Sequence, residues 1–378
     1  MRDDPSSSRA STAPVTVPHP APKDLDEEMP RVGVSRKRMI AFGVFVVCSL
    51  GFLYFVLPRL AGLQETWNRI NSGQPVWLAI AAGFEVLSFG GYVVLFRTVF
   101  VRGASRIDWR ESYQITMAGL AATRLFAAAG AGGVALTAWA LRQSGMEPRT
   151  VARRIVAFMS LLYAVYMATL VIDGILLRTG VFPGPAPLAF TVIPAVLGAT
   201  ALTVFLAMSL VPADFERRLG SWSHRHGHRR LAKWARWGAS VPAAVAGGVR
   251  DALSLARARE PGLLGALAWW TFDIAVLWAC FHAFGDPPSK AVIVMAYFVG
   301  MLANALPLPG GIGGVDGGMI GSFIAFGVPG GLAVVAVLAY RGFAFWLPTV
   351  PGAVAYLQLR RTVSRWREER TASAPAPA

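Results

Sequence analysis

Six stretches of this chain are apolar for about the distance that crosses a hydrocarbon layer: Met39–Pro58, Val76–Val101, Ile155–Leu177, Leu188–Val211, Leu263–Phe284 and Leu332–Tyr356. A bilayer core about 30 Å thick takes ~20 helical residues at about 1.5 Å each. With 54% hydrophobic and only 15% charged residues in the whole chain, the reading is an all-α polytopic membrane protein.

The remaining composition narrows this. Residues 1–38 are rich in Pro, Ser and Ala, with acids at Asp24, Asp26, Glu27 and Glu28, and predict a disordered cytoplasmic tail. A cleaved signal is not expected, because the first apolar run starts late and is long. The two cysteines, Cys48 and Cys280, both fall within spans, which excludes a disulfide framework. A formal net charge of +15 would suit nucleic acid in a soluble chain. In one this apolar, arginines mark the cytoplasmic side and the anionic lipids of the inner leaflet, so no nucleic acid is expected.

Charge placement fixes a path. Arg31, Arg36, Lys37 and Arg38 precede the first span and hold the N-terminus inside. Arg102, Arg106 and Arg110 follow the second span, and Arg142, Arg149, Arg153 and Arg154 precede the third, so residues 113–141 must enter and leave by one face. Tyr113–Ala129, then "GAGGV", then a short run to Leu141 fit a re-entrant hairpin of two half-helices. The loop 212–262, with ten Lys/Arg against four Asp/Glu, and the tail 359–378, with Arg360, Arg361, Arg365, Arg367 and Arg370, are also expected inside. Residues 291–325 then form a second hairpin, entering from the opposite face. On this path the inner segments hold 26 Lys/Arg and the outer loops three, Arg59, Arg69 and Lys290, with Arg178 at the outer end of the third span. The expectation is six full spans and two oppositely oriented re-entrant hairpins in the plasma membrane, both termini cytoplasmic, with the main domain over 39–358.

The two hairpins resemble each other. "GAGGVA" at Gly130–Ala135 aligns with "GIGGVD" at Gly311–Asp316, an offset of 181 in the numbering, and Pro148 aligns with Pro329 at the same offset. Each half reads span, hairpin, span. Gly/Pro-interrupted segments at matching places in two inverted halves point to a transport site near the midplane. Broken backbone at that depth is tolerated only against protein or a water-filled cavity. Pro307 and Pro309 should end the descending half-helix, Gly310 and Gly311 let backbones approach, and the ascending half-helix should start near Gly313 with N–H groups suited to an anion.

The run "NALPLPGGIGGVDGGMIGSFIAFGVP" from Asn304, followed by "AVLAYRGFAFWLPTVPGA", resembles the lysylphosphatidylglycerol-synthase transmembrane domain family, whose members are called flippase-like. The likeness covers roughly residues 40–358, and its members are similar to the lipid-flipping half of the multiple peptide resistance factor. Others resemble archaeal proteins acting with dolichol-linked sugars. The resemblance implies a lipid or lipid-linked substrate moved across the membrane. Two departures stand out: Asp316 sits where the family often has glutamate, and no aminoacyl-transferase domain follows residue 358. Arg124, in the loosely matching "TRLFAAAGAGGVAL", carries over from the first hairpin.

Ionisable residues inside spans are costly and read as functional by default. Glu85 and Asp273 lie at similar depths in their spans and suggest a pair lining a cavity, or a helix–helix hydrogen bond, with Arg124 or Arg341 as counter-charge. Asp316 could meet a substrate amine or cap its half-helix, Asn304 could satisfy freed backbone or substrate, and Arg341 should face the bundle. Asp173, near the outer end of its span, reads as interfacial. "SHRHGHRR" (Ser223–Arg230) invites a metal reading through His224, His226 and His228, but alternate spacing gives no common helix face, and no metal is expected. With Phe215, Leu219, Trp222, Trp234 and Trp237 it predicts an amphipathic surface helix.

No nucleotide-binding motif is found, so no cofactor and no catalytic residue are expected. The function expected is transport of a lipid or lipid-linked headgroup. A membrane transferase acting on polyprenyl-phosphate sugars, or a scaffold for a cell-envelope enzyme partner, are the alternatives; the outer loops offer only isolated Glu65 and Asp286.

Overall fold

The computed structural model describes residues 73–102, 106–125, 131–211, 244–305, 311 and 313–372. The expected first span Met39–Pro58, the tail 1–38, the histidine segment and its neighbouring aromatics, and the hairpin-tip residues Pro307, Pro309 and Gly310 lie outside them. The described residues are helical, without a strand: α1 Pro75–Phe100, α2 Trp109–Leu125, α3 Ala131–Gln143, α4 Pro148–Arg178, α5 Leu188–Ser209, a helical stretch over 244–257, α6 Leu264–Phe284, α7 Lys290–Leu302, α8 Gly314–Ala325, α9 Gly330–Arg341 and α10 Thr349–Ala372.

Among the described residues, five helical units are long and apolar enough to cross a membrane: Pro75–Phe100, Pro148–Arg178, Leu188–Ser209, Pro261–Phe284 and Gly330–Glu369. The last is broken by a π-helical turn at Gly342–Trp346, and α10 runs well past the expected end of the span at Tyr356. By contrast α2, α3, α7 and α8 have 17, 13, 13 and 12 residues. At ~1.5 Å per residue they reach only about 18–25 Å. They pack as two antiparallel pairs, α2 on α3 and α7 on α8.

The offset of the sequence repeat recurs in the contacts. Asp108 caps α2, accepting the Glu111 N–H at 2.9 Å, and Ser289, its counterpart in the second half, caps α7, accepting the Val292 N–H at 3.4 Å. Within the first pair a Cβ on Gly119 would lie 2.9 Å from Thr137 Oγ1; in the second, a Cβ on Gly318 would lie 3.2 Å from the Gly300 Cα. Positions 119 and 300, and 137 and 318, are matched by the same offset. Both pairs leave through the same left-handed glycine cap: Met146 N–H bonds Leu141 C=O around Gly145 (φ 96°), and Val328 N–H bonds Phe323 C=O around Gly327 (φ 83°). Pro148 and Pro329 then open α4 and α9.

Helices α1 and α6 cross closely along much of their length. A Cβ on Gly265 would sit 2.4 Å from Gly91 O, so glycine is required for the backbones to approach. At the crossing Ser88 Oγ donates to Trp269 O at 2.9 Å, and these two positions are also 181 apart. Helix α10 lies along α2, where a Cβ on Gly352 would meet Ala121 Cβ at 2.7 Å and Met117 O at 2.9 Å. Asp173 is buried at 4% exposure, where neighbouring Gly174 lets α5 pack on α4, its missing Cβ only 2.8 Å from Thr191 O.

Candidate functional site

A cavity of about 520 Å³ lies where the two short helix pairs converge. From α2 and α3 it is faced by Thr116, Thr123, Arg124 and Thr137; from the second pair by Tyr297, Met301, Asn304 and Gly311. Asp273 of α6, Tyr340 and Arg341 of α9, and Ala344 and Phe345 of the π turn complete its polar side, while Phe96, Phe100, Phe158 and Trp270 form an aromatic wall. The lining comes in pairs related by the repeat offset: Tyr92 and Asp273, Thr116 and Tyr297, Thr123 and Asn304, Met159 and Tyr340.

Local sequence explains how the charges are held. The Asp316 carboxylate accepts the Gly313 N–H at 2.9 Å, capping α8 where Gly313 adopts φ 82°. The same carboxylate meets Arg341 Nε at 2.6 Å, a buried ion pair joining α8 to the end of α9. Of the two roles open to Asp316 from sequence, the cap is made, and a protein arginine fills the place of a cation. Arg341 also stacks over Phe345, 4.5 Å from the ring centre. Asp273 accepts the hydroxyls of Tyr297 and Tyr340, the latter at 2.9 Å, so its carboxylate ties α6 to α7 and α9.

Arg124 is held differently. Its Nη2 donates to Ala344 O at 2.8 Å. That carbonyl is free because the residue four positions on, Pro348, has no N–H to offer it. The guanidinium lies between the rings of Phe89 and Phe345, 5.7 and 5.6 Å from their centres. Nη1 is buried without a hydrogen-bond partner.

Of the residues singled out in the sequence, Arg124, Asp273, Asn304, Gly311 and Arg341 meet at one cavity. Gly313 and Asp316 stand behind Arg341 rather than on the wall. Glu85 is buried at 4% exposure behind the wall, within electrostatic reach of Asp273 and Arg124, with Oε2 unpartnered. Sequence reasoning passes over Tyr297, Tyr340, Thr123 and Thr137. Tyr340 is within sight as the neighbour of Arg341, and Tyr297 stands out as a hydroxyl in the otherwise apolar run "KAVIVMAYFVGML".

An all-helical membrane protein, with a cavity of polar and aromatic walls where two antiparallel pairs of shorter helices converge, is the class these features define. The profile of the lysylphosphatidylglycerol synthase TM region matches residues 40–352, and the chain belongs to that family. A UPF0104 membrane protein of Methanothermobacter thermautotrophicus is 23% identical over 320 residues, covering 81% of this chain and 92% of the relative. A shorter match to a protein of that name from the same organism is 36% identical over 90 residues, spanning 24% of this chain and 27% of the relative. A UPF0104 membrane protein of Methanocaldococcus jannaschii is 32% identical over 97 residues, 25% of this chain and 29% of the relative.

Proposed function

We propose that the chain moves a lipid or lipid-linked headgroup across the plasma membrane, with the headgroup passing through the central cavity while the acyl chains stay in lipid. The reading takes the α2–α3 and α7–α8 pairs as re-entrant hairpins of opposite orientation in an inverted repeat, and both termini as cytoplasmic. The observation that carries it is Arg124 at the cavity wall, half-satisfied by Ala344 O and with Nη1 buried and unpartnered. A desolvated guanidinium donor next to threonine hydroxyls suits a phosphate-bearing headgroup. The matched lining positions support a site shared by two inverted halves.

The test is a labelled-lipid translocation assay on the purified full chain in vesicles. Arg124→Ala, Arg341→Ala and Asp316→Ala should abolish translocation, with Arg124→Ala doing so at unchanged yield of folded protein. Wild-type rates from folded R124A and R341A would remove the mechanism. Transfer of a sugar from a polyprenyl-phosphate donor, without lipid movement, would favour a transferase instead, and neither activity would favour a scaffold.

A further inference from the structure

A second, smaller cavity lies outside the central one, at the end of the bundle where α1 finishes and α4 begins. Its volume is about 200 Å³, and Arg102, Arg153 and Arg154 line it against a single carboxylate, Asp251. It is built rather than incidental. The helical stretch over 244–257 is pressed onto α4 by two glycines: a Cβ on Gly248 would lie 2.7 Å from Arg153 O, and one on Gly247 would lie 3.2 Å from Arg153 Nε. Arg154 Nη1 is anchored on Phe100 O at 2.7 Å, which orients the guanidinium. Arg153 Nη2 meets Asp251 Oδ1 at 2.6 Å, and Arg102 meets Glu260 only at 3.7 Å.

Three guanidinium groups around one small space repel one another; Asp251 balances Arg153, and Glu260 meets Arg102 only loosely from outside the lining. Such a site gains from an anion with several acceptor oxygens, because each guanidinium presents a fixed fork of N–H donors. The volume is several times the roughly 30 Å³ that one water occupies. Phe100 and Phe158, with ring centres 5.7 Å apart, line the central cavity but not this one. We propose that the Arg102–Arg153–Arg154 niche is a second anion site, binding a phosphate group independently of the central cavity.

The phosphate can belong to an anionic lipid headgroup or be free in solution, and one experiment separates the two. The full chain is placed in nanodiscs of phosphatidylcholine with a minor fraction of phosphatidylglycerol, and retained phosphatidylglycerol is counted by native mass spectrometry. Inorganic phosphate is titrated by calorimetry into discs of phosphatidylcholine alone. Arg102→Gln with Arg154→Gln should weaken binding by roughly thirtyfold, at about a few-fold per interfacial arginine. Asp251→Asn keeps every arginine, frees Arg153 and should tighten binding, which tests the site even if the double variant fails to fold. Making R102Q/R154Q on an Arg124→Ala background should produce the same loss, so the niche stands or falls apart from the transport reading. Retention of phosphatidylglycerol with that variant pattern identifies a lipid site; calorimetric phosphate binding with the same pattern identifies a soluble anion. Equal binding by wild type and a folded R102Q/R154Q, or weakened binding in D251N, overturns the proposal.

Discussion

The two short helix pairs share a backbone plan and differ in how they hold charge. Both begin with a side-chain cap at matched positions of the repeat, cross at a small residue and leave through a left-handed glycine. The second pair supplies a carboxylate, Asp316, which is consumed on Arg341 and on its own helix start. The first supplies a cation, Arg124, which meets a carbonyl rather than an acid and keeps Nη1 open. A common scaffold therefore carries a closed electrostatic site on one side and an open one on the other.

This difference can be broken apart by substitution, beginning with the largest effect. Asp316→Ala leaves Arg341 buried without its counter-ion and removes the α8 cap; a cost of about 3–5 kcal/mol is expected, read as a large fall in thermal unfolding temperature in detergent. Gly133→Ala puts a Cβ 2.0 Å from Thr123 Oγ1 and 2.3 Å from Gly119 O, and should cost about 1–3 kcal/mol by the same measurement. Arg124→Ala strands Ala344 O and should cost about 1–3 kcal/mol, less than D316A, while transport is lost. Equal destabilisation by D316A and R124A would erase the distinction between closed and open sites. Gly317→Ala faces open space within α8 and should stabilise by about 0.5–1 kcal/mol.

Acid offers a finer test of the two caps. Asp108 is held below its ordinary carboxylate range by its side-chain hydrogen bond with Glu111 and by the Glu111 N–H. Its contribution is therefore present above the ordinary range and lost as pH falls through the lowered value. Ser289 does not titrate. Hydrogen exchange should show the start of α2 loosening in acid while the start of α7 is unchanged; parallel loosening would assign the effect elsewhere.

How far this arrangement was legible in sequence follows from what each feature depends on. The long helices announce themselves because lipid imposes length and apolarity locally. The repeat shows in "GAGGVA" and "GIGGVD" and in the two prolines, since caps and turns need particular residues at particular places. Depth in the span pairs Glu85 with Asp273, but depth is not register: the repeat counterpart of Asp273 is Tyr92, which lines the cavity, while Glu85 lies behind it. The Asp316–Arg341 pair joins two helices whose packing no local pattern specifies. The partner of Arg124 was half-written, because Pro348 announces an orphan carbonyl at Ala344 without saying which donor reaches it.

That orphan carbonyl puts a condition on any visitor to the cavity. A ligand claiming both terminal nitrogens of Arg124 would strand Ala344 O inside the bundle, at a desolvation penalty of about 1–3 kcal/mol. One that takes Nη1 alone leaves the splice in the final span intact. The proline thus rations the arginine, setting guests that grip it with one oxygen above those that grip with two.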